Sequence, residues 1–159
     1  MNQPNIPHLT QLAEWLEAGA PHAYFSMDIG ICAATDDAVS SASLHYTLED
    51  ALIGTAELAK PDCGSVCCIA GAAHLMSIAG PGEVFPSPSA QRERVEEDHV
   101  PWHETMEAAL AYLGLVDNGT THMGHPLFSH RLAPHPCSPA QAAVAVRRVI
   151  AGKEPWETD

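Results

Sequence analysis

"DCGSVCCIAGAAHLM", residues 62–76, is the stretch whose reading decides the fold. Its three cysteines first suggest a metal or thiol motif. Its periodicity says helix. Val66, Ile69, Ala70, Ala73 and Met76 recur on one face, and Ala72, Leu75 and Ile78 widen it. Cys63 and Gly64 give a flexible approach, and Ser65 is a suitable N-cap. A helix this apolar around its circumference belongs in the middle of a bundle. Gly71 and the alanines let neighbouring helices come close. "AGPGE", residues 79–83, stops it. The spacing therefore predicts a central buried helix over 65–79.

Amphipathic segments flank that centre. "NIPHLTQLAEWLEAGAP", residues 5–21, places Leu9, Leu12, Ala13 and Leu16 on one face, capped by Asn5 and ended by Gly19. "TLEDALIGTAELAK", residues 47–60, predicts a second helix opened by Thr47. A helical turn is expected around Gln91 to Glu97. "WHETMEAALAYLGL", residues 102–115, has a stripe of Met106, Ala109, Leu110 and Leu113. "SPAQAAVAVRRVIAG", residues 138–152, opens on a capping box of Ser138 and Gln141, with Pro139 at N1 and Gly152 as the C′ residue. Ala143, Val144 and Ile150 are read as its apolar side, and Trp156 is expected to fold back over the terminus. Residues 24–34 suit a short β-hairpin. The fold class expected is mainly α, a single compact domain of four to five helices over residues 1–159.

Composition agrees and narrows the function classes. The chain is 46% hydrophobic, much of it alanine, and only 6% aromatic. That favours close-packed helices over a large β-sandwich. Seven Lys and Arg stand against twenty Asp and Glu, a net charge of -13. Such a surface repels phosphate backbones and anionic membranes, so neither nucleic acid nor membrane is an expected partner. The five cysteines are odd in number and bunched, unlike a secreted disulfide framework. The chain does not open on a signal-peptide pattern, so a cytoplasmic setting is expected.

Three patterns bear on chemistry. First, soft donors concentrate at 63–74 and 122–137. Cys63 and Cys68, or Cys67 in place of Cys68, with histidines of the 122–137 loop, His122 and His125 first, form a candidate zinc set, because zinc takes thiolate and imidazole in a tetrahedron. Zinc is accordingly the one cofactor considered. Second, Cys63 and Cys68 lie near a helix start, where the dipole favours a thiolate, so either is a candidate nucleophile for a hydrolase or transferase. Third, "ERVEEDHVPWHE", residues 93–104, gathers Glu93, Glu96, Glu97, Asp98 and Glu104 into a candidate surface for a basic protein partner. No phosphate loop, dinucleotide fingerprint or H-E-x-x-H is present.

The order of short segments also resembles a known pattern. "CGSVCCIAGAA" (residues 63–73) is followed by "YLGL" (112–115), "PLF" (126–128) and "PAQAAVAVRRVIAGKEPW" (139–156). This is similar to small phage and prophage proteins that carry a C-G-[ST]-x-x-C-I-A-G-like segment and an Ala-rich last helix closing with Gly and Trp. The resemblance covers roughly the last 95 residues. It would match the pattern's two cysteines to Cys63 and Cys68, leaving Cys67 as an extra. It implies a phage or prophage accessory role toward a host or phage protein, and no catalytic residue. The leading expectation is thus a non-enzymatic binder acting through its acidic surface. A zinc-binding protein and a thiol-dependent enzyme are the alternatives.

Overall fold

The computed structural model describes residues 3–20, 24–25, 27, 31–33, 65–94, 102–117, 124–129, 131–134 and 137–157. Five α-helices lie among them: α1 (Ile6–Glu17), α2 (Ile69–Ser77), α3 (Pro88–Arg94), α4 (Trp102–Leu113) and α5 (Pro139–Ile150). Three short strands, β1 (Tyr24–Phe25), β2 (Ile31–Ala33) and β3 (Ser65–Cys67), and a 3₁₀ turn at Pro126–Phe128 complete the described elements. The protein is mainly α, as its composition and periodicity predict. The helix expected over 47–60 lies outside the described residues.

Residues 65–67 are not the first turn of the central helix. They form β3, and Ser65 pairs with Ala33 instead of capping. The helix starts at Ile69, with Cys68 as its N-cap in an extended conformation. Every residue from Ile69 to Met76 is buried, so the expected central position is correct. β3 is also the middle strand of a small sheet, with β1 parallel on one side and β2 antiparallel on the other. The two strands expected to form a hairpin therefore do not pair with each other. Two or three residues offer too few backbone bonds to hold a hairpin alone. Both flanking strands instead satisfy their backbone groups on β3.

The helix ends follow local chemistry. The Asn5 carboxamide accepts the His8 N–H at 3.1 Å and opens α1, and Gly19 closes it at φ +90°. At α5 the capping box is complete: Gln141 N–H donates to Ser138 Oγ at 3.2 Å, and Ser138 N–H donates to Gln141 Oε1 at 2.9 Å. Gly152 follows at φ +77°. The buried side of α5 is Ala142, Ala143, Ala145 and Val146, while Val144, expected on that side, is 60% exposed. The 142–145–146 spacing sets the packed stripe, and Val144 falls off it.

The most extensive helix contacts are α1 with α5 and α2 with α4. Polar bonds tie the two pairs together. Asn5 N–H donates to Leu113 O at 2.8 Å, and His8 Nδ1 lies 2.6 Å from Tyr112 O, with the two rings stacked 3.8 Å apart. Phe25, Leu127 and Phe128 fill the shared core. Each such side chain contributes about 2 kcal/mol by burial. Trp156 folds back as expected, its indole N–H donating to Pro126 O at 2.9 Å.

Candidate functional site

β3 runs into α2 with one residue between them, which drives Cys67 and Cys68 into the core; both are buried. Cys68 Sγ accepts the Gly71 N–H at 3.4 Å. Burial pushes the Cys68 thiol up to about 11, although its backbone hydrogen bonds pull the other way. Cys137 is buried as well, its thiol directed at Ser138 O at 3.7 Å, and burial pushes it up to about 12. Cys68 and Cys137 are free thiols. Desolvation opposes thiolate formation at Cys68 and Cys137, which disfavours both nucleophile and metal ligand there.

The candidate zinc set divides between described and undescribed residues. Cys63 and His122 lie outside the described residues. His125 sits at the start of the 3₁₀ turn, and its Nδ1 accepts the Leu127 N–H at 3.1 Å. Burial holds its imidazole below the ordinary value. Both described members of the set, Cys68 and His125, therefore cap the first turn of their own element. Among the described residues no group of three or more His, Cys, Asp or Glu is arranged to hold a metal.

The acidic set divides in the same way. Glu96, Glu97 and Asp98 lie outside the described residues. Glu93 is exposed on the last turn of α3, and Glu104 on the first turn of α4. The ends of those helices are joined by Arg94, whose Nη2 is 3.4 Å from Glu104 Oε2. Glu93 and Glu104 thus bracket the acidic run, and the exposed Glu107 lies one turn further along α4.

Arg94 reaches one residue more. Its Nε–H donates to His74 Nε2 at 2.9 Å, linking α3 to the central helix. Nε2 accepts, so the neutral imidazole carries its proton on Nδ1. His74 is only 4% exposed, and burial together with the guanidinium lowers its pKa from 6.5 to about 4, with Glu104 opposing. His74 Nδ1, Trp102 Nε1 and Thr105 Oγ1 are buried without a hydrogen-bond partner among the described residues. Sequence reasoning had no handle on the His74–Arg94–Glu104 link beyond one histidine in an otherwise apolar helix.

A groove of about 550 Å³ on the opposite helix pair is lined by Glu17, Val144, Arg147, Arg148 and Lys153 among others. Its guanidinium groups already have protein partners. Arg147 bonds Glu17 at 2.8 Å, and Arg148 donates to Glu154 O at 2.6 Å. The two arginines also favour the C-terminal end of the α5 dipole.

No helix among the described residues is long and apolar enough to cross a membrane. Comparison with family models, curated proteins and solved structures finds no match for this chain.

Proposed function

We propose that the protein is a non-enzymatic accessory protein, of phage or prophage type, that binds a basic segment of a protein partner. The binding surface is the acidic face where α3 meets α4: Glu93 and Glu104 at its edges, and Glu96, Glu97 and Asp98 in the segment between. The observation that carries this reading is the exposure of Glu93 and Glu104 at adjoining helix ends, with Glu107 one turn further along α4, in a chain of net charge -13. Interspersed carboxylates attract Lys- and Arg-rich segments and raise their association rate. The buried thiols, whose charged forms are disfavoured, supply the contrast with the enzymatic alternative.

The test uses a defined probe, a fluorescent Lys/Arg-rich peptide followed by anisotropy. Glu96→Lys with Glu97→Lys should weaken binding at least about tenfold, or about 1.4 kcal/mol. The same reversal at Glu14 and Glu154, exposed elsewhere on the surface, should change it far less. Equal losses in the two pairs would mean that bulk charge, not this face, attracts the peptide.

A further inference from the structure

The link between Arg94 and His74 has a consequence for the acidic face. Arg94 is the last residue of α3, next to Glu93 and two residues before Glu96. Its guanidinium stays against α2 because His74 Nε2 offers a lone pair. A proton on that nitrogen turns the acceptor into a donor. Two cations would then face each other at 2.9 Å, with the imidazole only 4% exposed and so poorly screened on its side. One of the two must leave. His74 is fixed in the middle of α2, whereas Arg94 ends a seven-residue helix with 32% of its side chain exposed.

The surroundings favour the exchange. From α4, the carboxylate of Glu104 acts on His74, and α4 also carries the buried polar side chains of Trp102 and Thr105. β3 and the residue after it bring the Cys67 and Cys68 thiols, and the 3₁₀ turn is preceded by the His125 ring. Glu104 is therefore the one anion described as acting on His74. It is now shared with Arg94 and becomes the counter-ion of an imidazolium once the guanidinium departs.

We infer that the Arg94–His74 bond is an acid-released latch that holds α3, and with it the leading edge of the acidic face, against the central helix. The inference rests on the proposed acidic face for its biological meaning, but the latch itself is a property of the free protein. Its direction follows from the lowered imidazole pKa. The unfolded chain takes the proton near pH 6.5 and the folded chain only near pH 4. Stability of the latched form is complete above pH 6.5 and is lost as the pH falls toward 4.

Amide hydrogen exchange in the free protein tests this, with intrinsic exchange divided out. Between pH 7 and about pH 4 the amides of residues 91–94 should lose at least about tenfold more protection than those of α5. In Arg94→Gln the α3 amides should be loose at both pH values. In His74→Gln, whose carboxamide oxygen accepts without titrating, the selective loss should disappear. Parallel loss in α3 and α5 would overturn the latch, as would an unchanged pH response in His74→Gln. If that variant does not fold, ¹⁵N shifts of the His74 ring decide on the unaltered protein: α3 opening while His74 stays neutral also overturns it. Peptide binding is not read in any arm, so failure of the latch and failure of the acidic-face reading remain separate outcomes.

Discussion

Thiol reactivity separates the binder from the enzyme most directly, and the structure sets its magnitude. A cysteine at its ordinary pKa of 9.0 is about 9% thiolate at pH 8. With its pKa pushed up to about 11, Cys68 is about 0.1% thiolate at the same pH, roughly ninetyfold less. A more basic thiolate is also a better nucleophile, which returns a factor of about 6 to 10 over two units. The chemical step at Cys68 is then about tenfold slower than at a free thiol, before any cost of opening the core. Cys137, pushed up to about 12, should be slower still.

The assay is a time course with iodoacetamide at pH 8, quenched and mapped by mass spectrometry. Cys67, Cys68 and Cys137 should label at less than about a tenth of the rate of cysteine in an unfolded control. Replacing Cys68 tests the same argument from the folding side. Cys68→Ala removes the α2 cap and should cost about 1 kcal/mol, whereas Cys68→Ser keeps an acceptor for the Gly71 N–H and should cost less. Labelling of Cys68 in the folded protein at the free-thiol rate would refute the reasoning and return this residue to the list of nucleophiles.

Two further outcomes follow. Gly114, at φ +67°, has no room for a side chain: a Cβ there meets Gln3 O and lies 2.7 Å from Asn5 N. Gly152, at φ +77°, has nothing within 4 Å. Gly152→Ala should therefore cost only the left-handed strain, about 1 kcal/mol, and Gly114→Ala at least about 3 kcal/mol in urea titrations; equal costs would contradict the seating of the N-terminal segment on the end of α4. For zinc, dialysis against a chelator should leave Tm unchanged, because burial disfavours the Cys68 thiolate and His125 Nδ1 already accepts the Leu127 N–H. A stoichiometric metal lost together with a fall in Tm would restore the Cys63, Cys68, His122 and His125 set.

The elements legible in the sequence were those with local signals. Asn5, the Ser138–Gln141 box, Gly19 and Gly152 each act within a turn of the helix they end, so their roles could be read without the rest of the chain. The 65–68 segment could not be. A run of small and apolar residues suits a strand as well as a helix, and what decides is pairing with residues 24–25 and 31–33, far off in sequence. His74, Arg94 and Glu104 were illegible for the same reason. The bonded partners are 20 and 10 residues apart and share no periodic pattern.

The cysteine cluster shows how a chemical motif and a packing solution come to look alike. The junction from β3 to α2 has one residue in which to turn from strand to helix, and that residue, Cys68, is 2% exposed. An N-cap needs a side-chain acceptor, but a carboxylate there would be desolvated, and a hydroxyl would need a buried acceptor for its own proton. A thiol is apolar enough to bury and still accepts the Gly71 N–H weakly. Cys67, which ends the central strand, faces the same demand for a small apolar side chain, and it is fully buried. Adjacent cysteines at this position are therefore what a buried strand-to-helix turn asks for. The chemistry that soft donors would otherwise suggest is suppressed by the burial that selects them. The charge that stays accessible belongs instead to the exposed carboxylates of α3 and α4, beside the Arg94–His74 bond that links α3 to the central helix.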